Sequence, residues 1–153
     1  SYTTRPPREN EENGRDYFFV SKEEFEKKIE QNDFIEYAKV FDHYYGTSKS
    51  FLDKMIHSGK HVILDIDTQG AMHIKNQIAC VLIFILPPSI GILSKRLHNR
   101  NTEDEKTIEK RLSWAEKEIA LATKYDYQFV NDELVQAYQI FKAILIAEEH
   151  KNH

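Results

Sequence analysis

The sequence predicts an α/β fold, and two observations predict it. Strand-like and helix-like segments alternate along the chain. Two continuous apolar runs, His61–Asp65 and Cys80–Leu86, are too short for buried helices and rich in β-branched residues, as expected of parallel strands buried on both faces. A helical crossover over Gln69–Gln77 would join them into a βαβ unit.

The remaining elements follow in order. The polar stretch Ser1 to Arg15, with Pro6-Pro7 inside it, reads as a strand end followed by a loop. Asp16–Val20 is a short aromatic strand. Ser21-Lys22-Glu23-Glu24 has capping-box spacing, and Phe25 and Ile29 share a face of the helix it starts. Phe34–Val40 alternates as a strand, and Asp42-His43-Tyr44-Tyr45-Gly46 reads as a turn. A helix from about Ser48 turns Leu52, Met55 and Ile56 inward and stops at Gly59. Beyond Pro87-Pro88, Ser89 caps a helix carrying Leu93 and Leu97. The charged segment His98–Lys110 leads into a long helix around Leu112, Ala115, Ile119 and Ala122. Tyr127–Val130 is the last strand, and Asp132 is expected to cap a final helix through Leu145.

The length of 153 residues suits one domain, with room for a smaller lobe. With Lys+Arg 21 against Asp+Glu 25, the net charge of -4 leaves no bulk basic field, so nucleic acid and anionic membranes are not expected partners. No apolar run approaches the roughly 20 residues that span a bilayer. The single cysteine, Cys80, cannot form an internal disulfide and fits a reducing cytoplasmic setting; inside its apolar run it is expected in the core. The chain opens at Ser1, without an initiator Met and in mid-pattern.

Several polar residues invite chemistry. Ligand groups in open α/β sheets gather beyond the carboxyl ends of strands, where Asp65 and Asp67 fall. A lone Asp there is often a helix cap, and Asp67 could be one. Arg5 and Arg8 flank the rigid Pro6-Pro7 at a spacing suited to clamping one phosphate bidentately, although paired loop arginines are commonly solvated. Tyr17, Tyr44 and Tyr45 are phosphate-hydroxyl candidates or core aromatics. Glu36 lies in an otherwise apolar strand, so its carboxylate needs a donor, a ligand or water. Arg96, Arg100 and Arg111 bracket a charged turn, an arrangement found in solvated helix faces and in lids over a transferring phosphoryl group. The histidines have no zinc-site spacing, and no Ser-His-Asp or Cys-His signature stands out.

Together these residues resemble the guanylate kinase family of nucleoside-monophosphate kinases. The matching motifs run in order: Ser1-x-Thr3-Thr4-Arg5-x-Pro7-Arg8, Gly14-x-Asp16-Tyr17-x-Phe19-Val20, Phe34-Ile35-Glu36, Tyr44-Tyr45-Gly46-Thr47 and Leu64-Asp65-Ile66-Asp67-x-Gln69-Gly70. They continue through Ile85-Leu86-Pro87-Pro88-Ser89, Lys95-Arg96-Leu97-x-x-Arg100 and Val130-Asn131-Asp132. Each motif is weak alone; the ordered set is specific and covers nearly the whole chain.

The resemblance implies a parallel sheet like that of P-loop nucleotide hydrolases with flanking helices. It also implies a small mixed GMP-binding lobe at about 1–48 and a helical lid at about 96–111. It implies phosphoryl transfer from ATP to GMP with Mg2+, giving ADP and GDP. Arg5, Arg8, Tyr17 and Tyr45 would clamp the monophosphate. Ser1, Glu36, Thr47 and Asp67 would read the guanine, whose N1–H and amino group are adjacent donors suited to a carboxylate. Asp65 would stand near the reacting phosphates and, through water, the magnesium; no direct metal ligand is expected. Arg96, Arg100 and Arg111 would stabilise the transferring group, Arg100 also meeting ATP, and Asn131 would contact the donor's adenine. Self-association stays open.

Two departures qualify the match. Asn101 follows Arg100 where the family often has Gly, a small change because Asn tolerates left-handed backbone. More seriously, no Gly-x-x-x-x-Gly-Lys-Ser/Thr loop is present. The first strand, that loop and the first helix are therefore expected to be missing, leaving the runs around Ile63 and Ile83 uncovered and the chain inactive by itself. The rival reading is a guanylate-kinase-like binding module of a scaffold protein. Retention of Glu36 together with the lid arginines argues against it.

Overall fold

The structure is a computed structural model that describes residues 1–100 and 103–152. The chain forms two compact units, Ser1–Cys80 and Val81–His153. The first holds a four-stranded mixed sheet in the order β2-β1-β4-β3. Its strands are β1 (Tyr2–Thr3), β2 (Phe18–Phe19), β3 (Phe34–Val40) and β4 (His43–Ser48). β1 runs parallel to β2 and antiparallel to β4, and β3 pairs antiparallel with β4.

Three helices accompany this sheet. In α1 (Lys22–Glu30) the capping box is complete: Glu24 N–H donates to Ser21 Oγ, and Ser21 N–H donates to the Glu24 carboxylate. α1 delivers Phe25, fully buried, to stack on Phe34 and Tyr44 at centroid distances of 4.5 and 5.2 Å. α2 (Lys49–His57) is capped by Ser48, and α3 (Thr68–Lys75) by Asp67. Ile35, Leu52 and Ile74 form the centre of a core flanked by Val62, Leu64, Ile66 and Ile78.

The second unit pairs β5 (Ile83–Leu86) in parallel with β6 (Tyr127–Val130). Around them lie α4 (Ile90–Arg100), α5 (Glu105–Ile119) and α6 (Leu134–Glu149). Phe129, Ala137 and Ile144 form its core with Ile83, Tyr127 and Phe141. Ser89 Oγ accepts from Ile92 N–H at the start of α4, the expected cap.

Six expectations need correction. Ile56, expected inward on α2, is 50% exposed. The run His61–Asp65 belongs to no described strand. It still alternates: Val62, Leu64 and Ile66 face the core while Ile63 is 64% exposed, so the apolar run carries one inward face rather than two. The second run forms a strand only from Ile83, with Val81 and Ile85 exposed. Cys80 is exposed rather than core, because it precedes the paired part of that run. In the Asp42–Gly46 segment only Asp42 lies in the turn: His43 opens β4 and pairs with Val40. Finally, Glu133 rather than Asp132 occupies the N-cap of α6, and no side chain caps it. The Asp132 carbonyl instead accepts from Arg96 Nη2 at 3.2 Å, which holds that backbone outside the helix.

Candidate functional site

In the first unit the sequence-predicted residues gather in two clusters. The first is built on the junction of β1 and β4. Thr3 is fully buried; its hydroxyl donates to the Tyr44 carbonyl at 2.9 Å and accepts Arg5 N–H at 3.1 Å. Thr4 Oγ1 in turn accepts from Tyr44 N–H. These bonds fix the backbone from which Arg5 leaves the sheet.

The Arg5 guanidinium is then held on several sides. Nη2 donates to Glu11 Oε1 at 2.8 Å and Nη1 to the Pro6 carbonyl at 2.8 Å. Its carbon lies 5.7 Å from the Tyr17 ring centre and 5.8 Å from that of Phe19. Tyr17 meets Tyr45 edge-on at 6.1 Å. Glu11 and then Tyr45 hold the Arg5 pKa above its ordinary value, against the opposing effect of burial. Burial first, then the charges of Asp65 and Tyr45, push the Tyr17 hydroxyl above its usual value, so it remains a hydrogen-bond donor at neutral pH.

Glu11 is a site residue that the sequence pattern does not mark. Its second oxygen accepts Arg8 N–H at 2.8 Å, so one carboxylate folds the loop and holds Arg5. Arg5 lowers the Glu11 pKa most, with the Arg8 backbone adding to it. Only the six-residue separation of opposite charges across Pro6-Pro7 hinted at this pair, and no helical or strand periodicity reports such a contact. Arg8 is exposed on the same loop. Asp65 is exposed beyond the Val62–Leu64 segment, near enough to influence Tyr17.

The second cluster surrounds Glu36, only 3% exposed. A register shift between Phe34 and Glu36 breaks the β3 alternation, so that Phe34, Ile35 and Glu36 are all buried. Glu36 faces Thr47 in β4, whose Oγ1 donates to Glu36 Oε1 at 2.6 Å. Asp67 caps α3 by accepting Gly70 N–H at 2.9 Å, so the helix-cap reading holds for it. Burial first, with the Asp67 charge adding, raises the Glu36 pKa; the Thr47 bond and His73 oppose the shift. A buried carboxylate whose charge is disfavoured in this way is suited to bind a ligand that supplies N–H groups. Ser1 is exposed, and its carbonyl accepts from Phe18 N–H.

The second unit carries the other candidates. Asn131 N–H donates to the Leu86 carbonyl at the ends of β5 and β6. Arg96, from α4, donates to the Asn131 carbonyl at 2.7 Å as well as to Asp132. Arg96 therefore anchors α4 to the strand ends, a role its sequence position did not announce. Arg111 of α5 pairs with Glu103 at 2.7 Å, and Arg100 is exposed at the last residue of α4. Asn101 lies outside the described residues. Among the described residues, no three His, Cys, Asp or Glu are placed to hold a metal ion, and no helix is long and apolar enough to cross a membrane.

The chain as a whole matches one family. A family model described as guanylate kinase covers residues 1–148. A guanylate kinase of Protochlamydia amoebophila is 51% identical over 151 residues, 99% of this chain and 77% of that protein. One of Clostridium tetani is 49% identical over 150 residues, 97% of this chain and 72% of that protein. The crystal structure of guanylate kinase from Anaplasma phagocytophilum superposes with a TM-score of 0.85 at 34% identity, covering 99% of this chain and 74% of that one.

Proposed function

This chain belongs to the guanylate kinase family, and from that premise we propose that it accepts GMP for phosphoryl transfer from ATP, giving GDP and ADP in the cytoplasm. The observation that carries the proposal is the buried Glu36 carboxylate, fixed by Thr47, with its pKa raised by burial. Guanine offers two adjacent N–H donors to such a group, and adenine offers no equivalent pair. AMP would leave the carboxylate buried without its partner, a mismatch that polar sites reject strongly.

In this reading residues 1–48 form the GMP lobe. Glu36, Thr47, Asp67 and Ser1 read the base, and Arg5, Arg8, Tyr17 and Tyr45 take the phosphate. The prearranged Arg5 guanidinium supports that assignment, since a fork already held by Glu11 and the Pro6 carbonyl loses little freedom on meeting a phosphate. Residues 96–111 form the lid, with Arg96, Arg100 and Arg111 contributing positive charge and Asp65 standing near the reacting group. Asn131 contacts the donor's adenine. An oxygen of the GMP phosphate attacks the γ-phosphorus of ATP as the bond to the β-phosphate oxygen breaks. The protein's part is positioning and electrostatic stabilisation.

Magnesium would travel on the phosphates of ATP, keeping water ligands as this ion does. The described residues make no cage for it, and Asp65 alone would meet its water shell. The 153 residues contain no Gly-x-x-x-x-Gly-Lys-Ser/Thr, so this chain alone should bind GMP without turning it over. The test is transfer from ATP by the full-length enzyme, assayed with GMP and with AMP. Transfer to GMP alone is expected, and equal transfer to both would contradict the base assignment.

A further inference from the structure

Gly70 is the third residue of α3, although glycine is a poor helix former. Its backbone is not in the left-handed region, which among the described glycines only Gly14 and Gly59 adopt. Conformational freedom therefore does not explain it, but space does. A Cβ at Gly70 would stand 2.6 Å from Glu36 Oε2, 3.3 Å from Glu36 Cδ and 3.1 Å from Asp67 Oδ1. Glu36 cannot simply swing aside, because it is buried and its other oxygen is held by Thr47 at 2.6 Å. Asp67 is likewise fixed, by its cap on Gly70 N–H.

We propose that Gly70 is a positioning residue for base specificity: its missing side chain lets the Glu36 carboxylate lie against the first turn of α3 in the orientation that meets guanine. Thr47 sets one carboxylate oxygen, and the bare helix surface at Gly70 sets the other. The inference rests on the reading of Glu36 as the guanine acceptor and extends it to a residue with no polar side chain of its own. Any side chain at position 70 would rotate Glu36 away from Thr47 or push β3 from α3.

The test compares wild-type full-length enzyme with Gly70→Ala, Glu36→Ala and the double variant, titrating GMP and IMP and recording Tm. IMP lacks the exocyclic amino group, so the GMP-to-IMP ratio reads the carboxylate's placement and not the general integrity of the fold. Gly70→Ala should weaken GMP binding about 10- to 100-fold, the loss of a hydrogen bond to a charged group, and bring the ratio toward one. In the Glu36→Ala background the same change should alter GMP affinity by no more than about twofold, because the 2.6 Å clash is gone and only the milder 3.1 Å approach to Asp67 Oδ1 is left. Tm should hold or rise there, since the better helix former then meets only the 3.1 Å approach to Asp67 Oδ1. A preserved GMP-to-IMP ratio in Gly70→Ala would overturn the proposal, as would an equal loss in both backgrounds. If Gly70→Ala does not fold, recovery of folding in the double variant supports the clash, and failure there overturns it. Equal binding of GMP and IMP by the wild type would instead remove the guanine reading on which the inference stands.

Discussion

Thr47 Oγ1 donates to Glu36 Oε1 over 2.6 Å, between residues that face each other in neighbouring strands and are 4% and 3% exposed. The bond orders the carboxylate without neutralising it. Glu36→Ala should therefore reduce GMP affinity about 10- to 100-fold in a calorimetric titration, by loss of charge-assisted hydrogen bonds, while Tm holds or rises. Normal GMP binding by this variant would make Glu36 a structural residue.

The raised Glu36 pKa gives two opposite pH dependences. An acid whose pKa is higher folded than unfolded binds more protons in the folded state. Its contribution to stability is full below the ordinary carboxylate value and is lost as pH rises through the raised one. GMP binding needs the ionised form, so affinity should fall as pH drops through that same window. Glu36→Gln should flatten both profiles, which Tm measurements and GMP titrations across pH would show. Two unchanged profiles would contradict this assignment.

Glu11 holds Arg5 and the Arg8 backbone with one carboxylate. Glu11→Ala should raise the KM for GMP about three- to tenfold, the cost of ordering one long side chain on binding, with kcat nearly kept. Guanosine, which has no phosphate, should bind the variant and the wild type alike. A matching loss for guanosine would show that Glu11 supports the fold and not the phosphate clamp.

Arg100 ends α4 with its side chain exposed. In the full-length enzyme, Arg100→Ala should lower kcat on the order of 10²-fold with little change in the KM for GMP, as expected of a group that meets charge developing in the transition state. Unchanged turnover would remove it from the lid.

Phe25 is the centre of the first unit's aromatic core, stacked on Phe34 and Tyr44. Phe25→Ala should destabilise that unit by about 3–5 kcal/mol in chemical denaturation, from lost burial and the cavity left behind. A loss below about 1 kcal/mol would mean the site closes over the cavity.

Helices with local start signals were legible from residues alone: Ser21 with Glu24, Ser48 and Ser89 all act through bonds within three positions. Glu36 was legible because a carboxylate in an apolar strand demands an explanation. β4 was not, since Gly46 suggests a turn. Position 46 is glycine for space inside the strand, where a Cβ would stand 3.0 Å from both Phe25 and Phe34, a tertiary reason invisible to local patterning. The Arg5–Glu11 pair and the Arg96 grip on Asn131 are likewise contacts between segments without shared periodicity. His61–Asp65 misled because a run of apolar residues does not reveal how many of its faces are covered.

The central claim is that Glu36 recognises guanine, and the most direct measurement is a calorimetric titration of the wild-type full-length protein with GMP and with AMP at neutral pH. The predicted result is saturable GMP binding with AMP at least about 100-fold weaker, because AMP leaves the buried carboxylate unpaired. Equal affinities for the two nucleotides would contradict it.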